Sequence, residues 1–509
     1  MLLGMETEYA VGGRNRETLI EALQQSVRSG VPNLQGLNPM DRFLSSGARF
    51  YMDCGGHPEW STPECPNPTE VVRYLLAGDK ALADALSRAP ESLRNEKGAG
   101  VFKCGVDYSG ARTTWGSHES YLHVRSPAAF PEQIIPHLIS RIIFTGAGGF
   151  NPMSAGIEFT VSPRVWHLKK SGCGSTTDAR GIFHRKDEPL SRRGFHRLHV
   201  IAGESLCSHM ASWLRVGTTG VIVAMIDAGI AVGSAMIPND PVAAMQTFAR
   251  DPSCCETVRL SSGRDASALQ IQRHYLAKAE EHVDARWMPP WAGEVCKEWR
   301  AMLDRIEHAP ESLSATLDWA IKLPIYQDYI ERKGFNLDDI DAWNHINETI
   351  QTAVRKSEFR GRYTVELLLG REERPSPIPH TVQALTGYLG LHSFDWDMLR
   401  PFVDMRRELF EIDFRFAQLD GNGLFQKLDA SGVLDHKAPG VNRIEDAVTN
   451  PPSSGRARVR GRRIKSYADR PGYRCYWDGI WDVPNERTLP LSNPLAKTAR
   501  WSKFCLLYT

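Results

Sequence analysis

The chain has 509 residues, 42% hydrophobic, 24% charged and 9% aromatic, values that suit a globular protein of two or three domains with a sizeable core. Lys plus Arg number 61 against 60 Asp plus Glu, and a net charge of +1 excludes general electrostatic attraction to nucleic acid or an acidic membrane. Ten cysteines without a CxxC pair exclude a disulfide framework and a zinc ribbon, and point to reduced thiols in a cytoplasm. The opening MLLGMETEYA lacks the basic start and apolar run of a signal peptide, so export is not expected. Residues 4–10 alternate as a strand, and Leu19, Ile20, Leu23 and Val27 space a helix over 17–29. Alternation returns over 48–54, followed by helices over 66–89 and 129–144 with strands near 101–107 and 120–125 between them. A further strand is expected over 196–202. Residues 216–238 are long enough to span a membrane but carry Asp227 at their middle, and are expected to be a helix in a soluble core. Helices fill 267–330. From about 331 to 407 the chain changes character, with a Pro-rich loop at 371–379, and this is taken as an insertion or peripheral lobe. The NPPSSG joint at 450–455 leads into a Trp- and Tyr-rich tail that suggests a small C-terminal domain. Strands and helices neither strictly alternate nor segregate, which points to an α+β fold with a largely antiparallel sheet.

Three groups of residues could carry chemistry. Glu6 and Glu8 in GMETEYA are two apart, so on a strand both carboxylates face one side, where oxygen ligands suit Mg²⁺ or Mn²⁺; a solvated acidic edge is the alternative. In RFYMDCGGHPEWSTPE, Arg49, Tyr51 and Asp53 alternate with Phe50 and Met52, and the turn at Gly55, Gly56 and Pro58 returns Glu59, Thr62 and Glu64 toward the strand end. Arg is a natural phosphate partner and Asp a candidate base. In GSHESYLH, His118 and His123 are five apart, which rejects the HExxH zinc-protease spacing; on a strand His118 and Glu119 point opposite ways and either could enter a site. His199 is equally open. The run Arg456–Lys465 is expected as a strand with Arg456, Arg458 and Arg460 on one face, solvated or facing phosphate. The DGNG at 420–423 lacks the twelfth-position Glu of a calcium loop. No GxSxG or Walker A string occurs.

Taken in order, METEYA, SSGARFYMDCGGHPEWSTPEC, FKCGVDYSG, WGSHESY, HRLHVIAGES, LRVGTTG, GRDASALQIQR, LDWAIK and NPPSSGRARVRG resemble the Pup ligase and Pup deamidase family, over residues 1 to about 325 and about 408 to 485. The resemblance implies a glutamine synthetase-like fold, a catalytic domain over 1–430 and a small C-terminal domain over 431–509 that contributes to the nucleotide site. It implies that ATP phosphorylates the side-chain carboxylate of the C-terminal glutamate of a Pup-like protein modifier, and that a target lysine then attacks to form an isopeptide bond. ATP and Mg²⁺ are the implied cofactors. The implied partners are the modifier, lysine-bearing targets and, indirectly, a bacterial proteasome system. By position, Glu6, Tyr51 and Glu59 match Mg²⁺ ligands, Arg49, Thr62 and Trp477 match ATP contacts, with Trp481 a near competitor, and Asp53 matches the proton acceptor. Glu8, His118, Arg164, Arg197, His199 and Arg458 are the second-metal or phosphate candidates.

Two departures stand out. Lys186 replaces the arginine of the family's RDEP, and Gly203–His209 lacks one polar and one acidic side chain of the family's GD-x-N-x-x-E. Only 40 residues separate Glu8 from Arg49, without the long loop usual in the deamidase branch, which favours a ligase. A deamidase acting on the same site and a small-molecule glutamate-amine ligase are the alternatives. The 331–407 lobe is a candidate partner-docking surface.

Overall fold

The computed structural model describes residues 1–503 except 110–112, 155, 176–179, 186, 193, 337, 346–347, 349–398 and 469. Lys186, the 371–379 loop and most of the expected insertion lie outside the described residues. The fold is organised by one sheet. Its strands are β1 (Leu3–Glu8), β2 (Asn33–Gln35), β3 (Arg42–Leu44), β4 (Arg49–Met52), β5 (Pro58–Ser61), β6 (Ser117–His123), β7 (Lys170–Cys173), β8 (Gly181–His184), β9 (His196–Val200), β10 (Tyr473–Tyr476), β11 (Gly479–Asp482), β12 (Arg487–Pro490) and β13 (Ser502–Lys503). They run in the spatial order β7-β8-β9-β6-β1-β5-β4-β3-β2-β10-β11-β12-β13. Among the described pairings only β7 with β8 and β2 with β10 are parallel, so the sheet is largely antiparallel, as expected from the sequence. The C-terminal strands extend the same sheet through the Arg474–Gln35 pairing.

The period-2 pattern decides which face is dry. Leu3, Met5 and Thr7 of β1 are buried against helices, whereas Gly4, Glu6 and Glu8 turn to the other face. Helix α1 (Arg16–Gly30) buries Leu19, Leu23 and Val27, and α2 (Pro68–Arg88) starts at Asn67, whose side chain accepts from the Glu70 amide at 2.8 Å. Helix α3 (His209–Asp227) is buried nearly all round, from Ala211 to Ile226. The expectation of one helix through 216–238 is corrected: α3 ends at Asp227, whose carboxylate accepts from the Val124 and Arg125 amides at 2.9 and 2.7 Å, and Gly229 turns the chain at φ +91°. Among the described residues no helix is long and apolar enough to cross a membrane.

Helix α4 (Leu399–Phe416) starts inside the segment expected as an insertion, yet its Phe402, Met405 and Leu409 are buried with Phe150, Tyr326 and Ile330. Helix α5 (Gly455–Tyr467) replaces the strand expected over the basic run. The R-A-R-V-R alternation fits period 2, but Arg456, Arg460 and Ile464 recur every fourth residue, and that is the face α5 buries. The helix turns Arg458 away, to donate to the Ser453 carbonyl at 3.0 Å.

Candidate functional site

Antiparallel register turns the alternating motifs into rows across the sheet, because directly paired residues share a face. One row reads Arg49, Ser61, Glu6, His118 across β4, β5, β1 and β6. The next reads Tyr51, Glu59, Glu8, and is closed by the Gly116 amide, which donates to Glu8 Oε2 at 2.6 Å. A third pairs Ser120 with His199 on β9. Glu119, one residue on from His118, points into the opposite face, where Arg141 donates to both its oxygens at 2.5 and 2.8 Å. His118 therefore enters the site and Glu119 does not.

The exposed-face carboxylates have unequal company. Glu6 receives Arg197 Nη2 at 3.0 Å, with His118 Nδ1 at 3.4 Å and His199 Nε2 at 3.6 Å. Burial alone would raise its pKa, but the Arg197 charge and the two histidines bring it well below the usual carboxylate range. Glu59 has only the Tyr51 hydroxyl to relieve it: burial first, then the charges of Glu6 and Glu8, push its carboxyl well above that range. Burial and the Glu59 and Glu6 charges likewise push the Tyr51 phenol up. His199, buried and beside Arg197, is lowered to about 3 and is neutral at physiological pH. Three overlapping sets, Glu6 with His118 and His199, Glu8 with Glu59 and His118, and Glu8 with Asp53 and His57, each bring donor atoms within 4.8 Å of one another.

Asp53 sits where β4 leaves the sheet. The turn to β5 is closed by the Asp53 amide on the His57 carbonyl at 2.9 Å, and Gly56 at φ +77° supplies the left-handed residue it requires. The His57 amide donates to Asp53 Oδ1 at 2.6 Å and its Nδ1 lies 3.1 Å from Oδ2. Burial opposes ionisation of Asp53, but these hydrogen bonds win and lower its pKa. His57, whose ring packs edge-on against Trp115 at 5.7 Å, is a contact that spacing alone does not reveal.

Beside the rows lies a pocket of about 660 Å³ including its mouth, walled by Glu6, Thr62, Arg197, Arg456, Glu64 and Trp477 among others. Thr62 Oγ1 accepts from the Met5 amide at 2.9 Å, which fixes this residue to β1. Trp477 lines the pocket; Trp481 does not. Arg49 is set back from it, stacked over the Tyr51 ring at 3.8 Å and held by Asp41 at 2.7 Å. Arg458 is not among the lining residues, whereas Arg456 is, and the fourfold spacing of Arg456 and Arg460 was the signal that singles them out. Arg164 is buried, near Glu8, with Nε and Nη1 lacking a hydrogen-bond partner. Glu204, in the segment that departs from the resembled pattern, fastens this arginine's backbone by accepting from the Arg164 amide at 2.7 Å, Ser162 Oγ at 2.8 Å and the Ala147 amide at 3.0 Å. A larger groove of about 2580 Å³, open to solvent, begins at Met52, His57 and Trp115 and passes between Arg16 and Glu21 of α1 and Phe414 of α4.

The chain is similar to known proteins. A family model described as Pup-ligase protein matches residues 1–347 and 396–481. Pup–protein ligase 1 of Rhodococcus erythropolis is 34% identical over 349 residues, 66% of this chain and 76% of the relative, and the Pup–protein ligase of Gordonia bronchialis matches at the same identity and coverage. The crystal structure of the complex between prokaryotic ubiquitin-like protein Pup and its ligase PafA superposes with a TM-score of 0.72 at 23% identity, covering 98% of this chain and 90% of that one. The Pup ligase PafA in complex with ADP gives 0.66 at 24% identity, covering 95% and 92%. With most of its length matched by the family model and its sheet by these folds, the chain belongs to the Pup-ligase family.

Proposed function

We propose that the protein is an ATP-dependent ligase that joins the side-chain carboxylate of the C-terminal glutamate of a Pup-like modifier to lysines of target proteins in the cytoplasm. The observation that carries the reading is a pocket lined by Thr62, Arg197 and Trp477 beside a carboxylate row whose Glu59 is pushed up by its acidic neighbours, with the hydrogen-bonded Asp53 next to Met52 in the lining of the groove.

The donor set fits Mg²⁺. Glu59 is a buried carboxyl whose neighbours are carboxylates, and a hard cation among oxygen donors is what would let it ionise. Glu6, Glu59 and Tyr51 would hold it, with Glu8 and His118 beside them. Bound there, Mg²⁺ would supply neutralisation of phosphate charge.

The remaining work falls to the chain's own residues. Thr62 and Trp477 line the pocket and position the nucleotide, and the cationic Arg197 and Arg164 face the acidic rows where phosphate oxygens would lie. Asp53 accepts the proton of the attacking lysine. An amine of pKa about 10.4 is neutral only about once in 2,500 molecules at pH 7, a deficit of about 4.6 kcal/mol that a fixed carboxylate helps offset. The lowered pKa of Asp53 keeps it anionic and ready to bind ammonium, while His57 holds its orientation. The groove, too large for a nucleotide, would receive the end of the modifier. In this reading residues 1–430 carry the catalytic machinery and the C-terminal strands lend Trp477 to it. The test is ATP consumption in the presence of modifier and lysine target: one ADP per conjugate, abolished by chelating divalent cations, supports the reading, and conjugation without ADP formation sinks it.

A further inference from the structure

We propose that Arg460 is the positioning residue of the nucleotide pocket, holding Trp477 in its wall by clamping together three distant stretches of chain. The inference rests on the ATP site proposed above. Arg460 is on α5, its side chain has no solvent exposure, and its donors go to three places. Nη1 donates to the Trp477 carbonyl at 3.0 Å, Nη2 to the Gly47 carbonyl at 2.9 Å, and the fork closes on Glu64 with Nη2 to Oε2 at 2.5 Å and Nη1 to Oε1 at 3.2 Å. The guanidinium carbon also sits 4.8 Å from the Trp477 ring centre and 5.9 Å from that of Phe43, and the two rings meet edge-on at 5.2 Å. Each anchor borders a residue of the site: Gly47 lies two residues before Arg49, Glu64 two after Thr62, and Trp477 is itself in the wall.

The approach is built for this contact. A Cβ at Gly461 would lie 2.4 Å from the Ser45 carbonyl, and one at Gly47 would lie 3.1 Å from the Ala457 carbonyl, so glycine at both places lets α5 settle on the β3–β4 turn. Glu64 is the counter-charge: burial opposes its ionisation, and Arg460 with Arg456 overcomes this and holds it at about 2. A buried ion pair alone is weak evidence of a role. What distinguishes Arg460 is that one planar fork makes four hydrogen bonds at once, to two backbone carbonyls and both oxygens of a carboxylate, one more than the three donors of a lysine ammonium can make.

The experiment measures Mg-ATP and modifier affinities by equilibrium binding to the full-length protein, together with the melting temperature. The variants are Arg460→Lys, Trp477→Ala, the double variant and Arg458→Gln. Arg460→Lys is expected to weaken ATP about tenfold, the scale of one or two lost hydrogen bonds, while modifier affinity stays within about twofold. In the Trp477→Ala background the same change should cost less than about twofold, since its effect runs through the indole. Arg458→Gln should leave both affinities unchanged. Unaltered ATP affinity in Arg460→Lys overturns the proposal, as does an equal loss with and without Trp477, or a parallel loss of both ligands with a falling melting temperature. Failure of the unsubstituted protein to bind Mg-ATP would instead overturn the proposed function.

Discussion

The two faces of the sheet treat the same side chain oppositely. On the helix-covered face Glu119 is completely buried, yet Arg141, Arg215 and Tyr121 surround it; burial would raise its pKa, and their charges and hydrogen bonds hold it low. On the open face Glu59 is nearly as buried, but its neighbours are Glu6 and Glu8, and it is pushed high. One carboxylate is satisfied by the fold; the other awaits something from outside it. That difference separates a residue that holds the sheet together from one proposed to serve a reaction, although both arise from the same alternation along a strand.

Substitutions can break this contrast, and the largest effect falls where chemistry is lost without structure. Asp53→Asn should lower conjugation by about 10²- to 10⁴-fold, the contribution of a positioned base, with unfolding midpoint nearly unchanged; conjugate formation over time reads the first and denaturant unfolding the second. Glu119→Gln should do the reverse. It strands Arg141 in the core and should cost about 3 to 5 kcal/mol of unfolding free energy, seen as a lower urea midpoint at unchanged slope.

Magnesium should distinguish the faces next. At about a hundred times its dissociation constant it should stabilise the protein by about 2.7 kcal/mol, and Glu59→Gln should remove most of that gain while Glu119→Gln removes none of it. A melting series against Mg²⁺ checks both.

The smallest effect is on pH. Without metal, Glu59 holds its proton more tightly folded than unfolded, so its contribution is complete below the unfolded value of about 4.3 and is lost as pH rises through its raised folded value. Glu119 has the opposite sign: its contribution is present above the unfolded value and is lost as pH falls through its lowered one. Unfolding free energies from pH 4 to 8 in chelator should therefore decline less in Glu59→Gln than in the unsubstituted protein. An identical decline would remove Glu59 as the strained acid.

Much of the site was legible because strand alternation is a rigid rule. In METE and RFYMD the spacing already places Glu6 with Glu8, and Arg49 with Tyr51, on shared faces, and antiparallel pairing merely aligns them into rows. The same rule misleads at Arg456–Lys465, where an alternating pattern coincides with a helical one and packing against β2 and β3 decides. It fails also within 216–238, where a run of apolar residues hides the stop made by Asp227 and Gly229. His57 and Glu64 were out of reach for a different reason: their roles are contacts set by a turn and by a helix almost 400 residues away. The resemblance to a family supplied the proposed roles of Thr62 and Trp477, which no local pattern indicates.

In the proposed reaction the open-face acids and Asp53 serve ligation rather than hydrolysis. Intact-protein mass spectrometry tests it directly, with Mg-ATP, a lysine-bearing target, and a Pup-like protein ending in either Glu or Gln. Ligation gives a target mass increased by one modifier less one water, formed only from the Glu form and absent with Asp53→Asn. Loss of the Gln side-chain amide from the modifier, or cleavage of a preformed conjugate, with no new conjugate from the Glu form, would contradict it.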